Sequence, residues 1–372
     1  MKTQRNALYR DILVCCLTFL TLPVIGAGSP ARTNDGYVQM NLVSNTTNAP
    51  QTDPRLINAW GIVAGPDNVW VNDNETGLST AYNPHGRPSP FAISIPAPGG
   101  GPAAPTGLVF NDTDQFVITS GYRHGPSTFL MATEDGAITA WSQHWSGSNA
   151  VIVADNSASG AIYKGLAIVR DTNGVPLLFA ANFHAGVVDV FDGHFGYLSS
   201  FTDSNLPPNF APFNVRNIRG RLFVTFAKQR LPEAKDDEAG LGNGYVDIFD
   251  TDGTLLRRLA SQGTLDSPWG MVVAPRHFGK FSRSLLVGNF GDGTINAFDI
   301  LTGKFLGRLE KSDGNILSID GLWGLTFERE EDPDRDCEFE AQRLYFTAGP
   351  NGEADGLLGF IRPLSPGFSH AR

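Results

Sequence analysis

A segment that recurs six times along this chain narrows its fold more than any other feature. Each copy opens with a short apolar strand carrying a Gly and continues to a second apolar strand ending in Asn, Thr or Gly. A Gly-containing turn follows, then a strand ending in an aromatic residue and often Asp. The clearest copies open at Trp60-Gly61-Ile62, Lys164-Gly165-Leu166, Trp269-Gly270-Met271 and Trp323-Gly324-Leu325. Thr106-Gly107-Leu108 opens another, and Phe213-Asn214-Val215 stands where the sixth belongs. An all-β unit repeated at this spacing buries its apolar faces by stacking on its neighbours, as propellers and solenoids do.

The third strands decide between those two. They read Val187-Val188-Asp189-Val190-Phe191-Asp192, Tyr245-Val246-Asp247-Ile248-Phe249-Asp250 and Thr294-Ile295-Asn296-Ala297-Phe298-Asp299, and a fourth short strand such as Leu255-Leu256-Arg257-Arg258-Leu259 follows most of them. Four antiparallel strands per repeat make one propeller blade. The last repeat runs from Leu357-Leu358-Gly359-Phe360-Ile361 into a Pro-rich tail with no fourth strand, whereas Tyr37 to Val43 is an orphan strand. The expected fold is therefore all-β: a six-bladed β-propeller of four-stranded antiparallel blades, closed by the N-terminal strand joining the last blade. Such closure leaves no open edge between first and last blades. The propeller is expected over residues 36–362 as one domain, with 363–372 as a tail.

Residues 1–27 read as a secretory signal peptide, since Lys2, Arg5 and Arg10 precede an apolar run and small residues follow. The expected location is therefore the periplasm or the medium. Removing those three bases with Asp11 takes the net charge from −10 to −12. An acidic body argues against nucleic acid and anionic membranes as partners, and no other segment is long and apolar enough to insert in a bilayer. Of three cysteines, Cys15 and Cys16 leave with the signal, so Cys337 has no internal disulfide partner. The acidic run at 328–336 and the mixed run from Lys228 to Glu238 are read as solvated loops. The chain is expected to be a monomer.

Trp60, Trp269 and Trp323 are expected to fill the space between blades. Gly61, Gly107, Gly165, Gly270 and Gly324 beside such positions would permit close approach of backbones. The loops after the second strands are more polar. Asn72 and Asp73, Asn182 and His184, Asn289 and Asp292, and Asn351 occupy one place in four repeats, which makes them the candidate ligand-binding residues at one mouth of the ring. Tight hairpins also favour Asn, Asp and Gly, because these residues tolerate positive φ and cap their own backbone. Oxygen-rich convergence suits Ca²⁺, for which Asp73, Asp292 and Asp355 are the alternative ligands, with Glu353 near them and Asp266 and Asp320 as second choices. No other cofactor is expected. No catalytic residue is assigned: the chain has no His-Glu-x-x-His, no Cys-x-x-Cys and no Gly-x-Ser-x-Gly.

The opening run Asp53-Pro54-Arg55-Leu56-Ile57-Asn58-Ala59-Trp60-Gly61-Ile62, with Val69-Trp70-Val71-Asn72-Asp73-Asn74 and Gly77-Leu78-Ser79-Thr80-Ala81-Tyr82-Asn83, resembles an uncharacterised family of exported bacterial propellers. Some of its members end in a PEP-CTERM sorting tag, which this chain lacks. The blades are also similar to NHL repeats, a likeness of fold that implies no reaction. The family brings no established activity, and the expected function, taken from the residues themselves, is an exported binding or scaffold module with a ligand or protein at the Asn-bearing mouth. The rival expectation is a Ca²⁺-dependent hydrolase or lyase of the lactonase kind.

Overall fold

The computed structural model describes residues 36–65, 67–327 and 343–364. The segment 1–27, the acidic run at 328–336, Cys337 and the tail beyond Leu364 lie outside the described residues.

The described residues form six antiparallel blades of a β-propeller. In chain order from the axis outward, the first blade is Ala59–Ala64, Val69–Asp73, Leu78–Tyr82 and Pro88–Ser94. The second is Pro105–Phe110, Phe129–Thr133, Ala137–Trp141 and Val151–Asp155, with a hairpin of Val117–Ser120 and Arg123–Pro126 inserted after its first strand. Blade three comprises Tyr163–Arg170, Pro176–Asn182, Val187–Phe191 and Tyr197–Phe201. Blade four comprises Phe210–Ile218, Arg221–Lys228, Gly244–Phe249 and Leu255–Ser261. The fifth is Pro268–Val273, Leu285–Asn289, Ile295–Phe298 and Phe305–Arg308.

The sixth blade closes the ring as the sequence predicts. Leu322–Phe327, Leu344–Ala348 and Leu357–Pro363 come from the C-terminal end, and Tyr37–Ser44 pairs antiparallel with the last of them, from Tyr37 opposite Pro363 to Ser44 opposite Leu357. A short parallel strand, Gln51–Thr52, extends this blade to five. Tyr37 anchors the closing strand to the fifth blade: its hydroxyl donates to Phe278 O at 2.9 Å and accepts from the Phe281 N–H at 3.1 Å.

Strand alternation sends apolar side chains into the seams between blades. Val188 and Val190 of blade three meet Val224 and Phe226 of blade four, and Leu286 and Ala297 of blade five meet Leu325 and Phe346 of blade six. Each large apolar side chain buried this way contributes about 1.5–3 kcal/mol.

The tryptophans do something different from the expected filling of blade seams. Trp60, Trp269 and Trp323 pack with Phe183 and Phe213 in a separate cluster. Trp60 of blade one touches Trp269 of blade five at 6.0 Å, although those blades are not neighbours, so the rings meet on the propeller axis. The cause is local. The pairing register slips between Ala59 and Ile62, Tyr163 and Gly165, Pro212 and Asn214, Pro268 and Met271, and Leu322 and Leu325. Bulges bend a strand and re-aim a side chain. In each of these inner strands the residue so turned is a Trp, a Phe or, in blade three, Lys164.

The glycines that follow hold the expected role of close approach. A Cβ at Gly324 would lie 2.6 Å from Trp60 O, one at Gly107 would lie 2.8 Å from Gly165 Cα, and one at Gly270 would lie 2.6 Å from Trp323 O. Gly61 and Gly165 face Thr106 O and Asn214 in the same way. In blade four the slot holds Asn214, whose Nδ2 donates to Trp269 O at 2.9 Å. Among the described residues no helix is long and apolar enough to cross a membrane.

Candidate functional site

Antiparallel pairing sets the loops after the second strands beside the starts of the inner strands. Ala59 is opposite Asp73, Tyr163 opposite Asn182, Pro268 opposite Asn289, and Leu322 opposite Ala348. The candidate Asn and Asp residues therefore share one face of the ring, but their side chains do not converge. Asn72 Nδ2 donates to Thr106 O and Gly107 O, both at 3.1 Å, bracing blade one on blade two. Asp73 is buried and accepts from Thr80 Oγ1 at 2.7 Å, and burial pushes its carboxyl well above the ordinary range. Asn182 donates to Asp189 Oδ2 at 2.9 Å, while His184 Nδ1 is 3.1 Å from Glu233 O. Asn289 donates to Asp292 Oδ1 at 3.0 Å, and Asp292 in turn accepts from the Thr294 N–H and hydroxyl. Asn351 has φ +59° and its N–H donates to Asp320 Oδ2 at 2.9 Å. Asp355 Oδ1 accepts from Asn45 Nδ2 at 3.3 Å, and Asp266 Oδ1 accepts from the Gly240 N–H at 2.7 Å. These contacts are largely those of tight turns. Among the described residues no group of three or more His, Cys, Asp and Glu side chains is set to share a metal ion.

What converges on this face is an ionic cluster directly above the aromatic plug. Asn58 lies at its base: its Oδ1 accepts from the indole N–H of Trp60 at 2.8 Å and of Trp323 at 3.1 Å. Its Nδ2 donates to Glu353 Oε1 at 3.0 Å and approaches Asn74 Oδ1 at 3.4 Å. Asn74 reaches Glu134 Oε2 at 3.4 Å, and Glu134 is ion-paired with Lys164. The ammonium of Lys164 also sits over the Trp60 ring, 4.9 Å from its centroid, and 5.9 Å from that of Phe183. Lys235 stands 3.6 Å from Glu134 Oε2. Buried Asp237 completes the cluster, within Coulombic reach of Lys164 and of Glu353.

Burial works to raise the Glu134 carboxyl, but Lys164 and Lys235 outweigh it and hold the group below its ordinary value. Glu353 and Asp237 shift the other way. Burial pushes both up, and each lacks an ammonium in contact; Glu134 and Asp237 add repulsion at Glu353. Oppositely shifted carboxyls around one lysine in a recess are a pattern concentrated at functional sites.

Some of these residues were visible in the sequence. Glu353 stands in a predicted rim loop, and Lys164 fills the inner-strand slot that holds Trp in three other repeats. Glu134 lies in Thr133-Glu134-Asp135-Gly136, the second-blade counterpart of the Asn-bearing loops, and alignment of the repeats would have found it. Lys235 and Asp237 carried no such signal. They belong to the run read as a solvated loop, and most of it is exposed as expected, but Gln229 Nε2 donates to Phe183 O at 2.5 Å and Asp237 turns inward to 5% exposure.

On its lower side the plug closes a second recess. Gly61, Gly107, Gly270, Leu166, Met271 and Leu325 help to line it, and its cavity volume is only about 20 Å³. The aromatic cluster thus fills the propeller axis directly beneath the ionic cluster.

No protein-family model matches the chain. Among solved structures it is similar to a luciferin-regenerating enzyme, 12% identical, with 90% of this chain and 98% of that chain covered at a TM-score of 0.52. It is also similar to a Bacteroides thetaiotaomicron protein of unknown function, 11% identical, covering 89% and 74% at a TM-score of 0.50. At such identities the likeness is one of fold alone. The curated relatives correct the expected bacterial family, because they come from a giant virus. Uncharacterized protein R648 of Acanthamoeba polyphaga mimivirus is 32% identical over 91% of this chain and 83% of its own length. Uncharacterized protein L690 of the same virus is 32% identical over 91% of this chain and 89% of its own length. The chain belongs to the family of these uncharacterised mimivirus proteins.

Proposed function

We propose that this propeller is a non-catalytic binding module that takes a small polar ligand at the axial mouth, between the aromatic plug and the loops bearing Glu134, Lys235 and Glu353. One observation carries the reading. Ionisable groups of both signs, most of them buried, gather on the propeller axis above the aromatic plug, where burial is unfavourable to them. A fold stabilised by blade seams gains little from such a cluster, so recognition is its best account. The dispersal of Asp73, Asp292 and Asp355 into separate hydrogen-bond sets favours this reading over a calcium-dependent hydrolase or lyase. Export belongs to the same proposal, resting on the signal-like layout of residues 1–27. Its check is N-terminal sequencing of the protein recovered from a secretory host, with cleavage after about residue 27 as the expected result.

The test of the binding reading is a thermal-shift screen of small polar compounds of mixed charge. Hits are then measured by calorimetry on wild type, Glu353→Gln, Lys235→Ala and, as an outer-strand control, Leu198→Ser. Binding weakened by the mouth substitutions and untouched by Leu198→Ser is the expected result. Hits indifferent to both mouth substitutions would falsify the assignment. Conversion of a bound hit to product, followed by mass spectrometry, would replace binding by catalysis.

A further inference from the structure

The polar atoms of the axial mouth are not evenly matched. Both ammonium groups face Glu134: Lys164 as a buried ion pair and Lys235 at 3.6 Å, half exposed. Glu353 is left with the amide of Asn58 as its donor. Asp237 is 5% exposed, and its Oδ2 is buried with no hydrogen-bond partner. The buried Ser267 hydroxyl faces the Asp237 carboxyl and works against the upward push of burial on it, without reaching good hydrogen-bond geometry to Oδ2. Ser267 adjoins the aromatic plug, because its carbonyl accepts from the Phe290 N–H at 2.9 Å and Phe290 stacks on Trp323 at 3.9 Å. Glu134, Asp135, Asp236, Asp237 and Glu353 act electrostatically with Lys164, Lys235 and Arg230, and five carboxylates against three cations leave the mouth negative when all are ionised.

We propose that the group recognised at this mouth is a cation, a protonated amine or a guanidinium, which donates to Asp237 and Glu353 beside the Phe290 ring. The inference rests on the axial-mouth reading above and adds the chemistry of the ligand. Two features independent of net charge support it. A buried carboxylate oxygen without a donor is costly, and an N–H donor is the group that relieves it. The partly exposed Phe290 ring attracts a cation through the negative face that Trp323 leaves uncovered, as the Trp60 ring attracts Lys164 within the protein. Anions would meet Glu353 and Asp237 at close range. A neutral alcohol would satisfy Asp237 but leave the excess charge uncompensated.

Calorimetry with three probes of one shape tests this: benzylammonium, benzyl alcohol and benzoate, each titrated into wild type, Glu353→Gln and Asp237→Asn. Benzylammonium is expected to bind saturably, and each substitution to weaken it about tenfold or more, the range for a hydrogen bond to a charged group. Benzoate and benzyl alcohol are expected to give no saturable heat. Glu353→Gln keeps an oxygen for Asn58 and sits at the partly exposed rim, so it remains informative if Asp237→Asn fails to fold. Benzylammonium binding unchanged in the folded variants overturns the proposal. Benzoate binding that disappears in Lys235→Ala overturns the cation but leaves the axial mouth as the site. No heat from any probe overturns the cation as well, while the mixed-charge screen judges the mouth separately.

Discussion

Trp60 and Trp323 stack across the propeller axis with ring centroids 3.6 Å apart and planes 23° from parallel, and both indoles donate to the single atom Asn58 Oδ1. They come from the inner strands of the first and last blades. The pair therefore joins the two ends of the ring at its centre, while Tyr37–Ser44 joins them at its rim. Trp269 meets both rings edge-on, at 6.0 and 5.9 Å.

Truncating this plug should open a cavity where several blades meet. Trp269→Ala is expected to destabilise by roughly 3–5 kcal/mol, within the range for large aromatic side chains in cores. Trp323→Ala should be at the upper end, because it also removes a donor from Asn58. Urea unfolding followed by circular dichroism measures both, and an unchanged midpoint for Trp269→Ala would place that ring outside the core.

The Lys164 and Glu134 pair is buried on both sides, with side-chain exposures of 3% and 9%. Removing one partner leaves the other charge uncompensated, so Lys164→Met and Glu134→Gln should each cost about 3–5 kcal/mol. The double substitution should cost clearly less than the sum of the two. Additive losses in a double-mutant cycle would show that the two groups do not act as a pair.

Removing the closing strand exposes the edge of Leu357–Pro363 and the phenol-binding site at Phe278 and Phe281. Deletion of Tyr37 to Val43 is expected to cost several kcal/mol of a total that is typically about 5–15, and to promote association through the bared edge. Size-exclusion chromatography and thermal melts read both effects. A monomer with an unaltered melting temperature contradicts this account of closure.

Asp247 lies in blade four between Arg258, whose Nε is 3.1 Å from it, and Asp203, which Arg258 also binds. Burial, helped by the neighbouring Asp203 carboxyl and opposed by Arg258, raises Asp247 from 3.8 to about 7. A carboxyl raised in the folded state contributes stability that is present below its unfolded value and lost as pH climbs through the folded one. The contribution of Asp247 should therefore decline between about pH 4 and pH 7. Melts of wild type and Asp247→Asn across that window should converge at the acid end and separate in favour of Asn towards neutrality. Parallel curves would mean that Asp247 does not titrate there.

Six repeats, their four strands, the missing outer strand of the last blade and the spare strand at the N-terminus are all local or countable features, and they determined the propeller and its closure without any coordinates. The Gly positions were legible for the same reason, since a residue without Cβ beside a large one marks backbone contact. The direction of the tryptophans was not. Strand alternation sends Trp60 into a seam, and only the register slip beside Gly61, which depends on the paired strand, turns it to the axis. The site shows the same division. The repeat pattern sets Asn and Asp at equivalent places, but sequence does not distinguish an amide that caps its own turn from one that reaches the axis, and most of these cap or brace. Lys164, Glu134, Asp237 and Glu353 come from four blades, and their meeting depends on ring closure and on the inward turn of Asp237 in an otherwise largely exposed loop. Charge along the chain is a local quantity, whereas burial of charge belongs to the assembled ring, so only the tertiary structure decided where the chemistry of this protein lies.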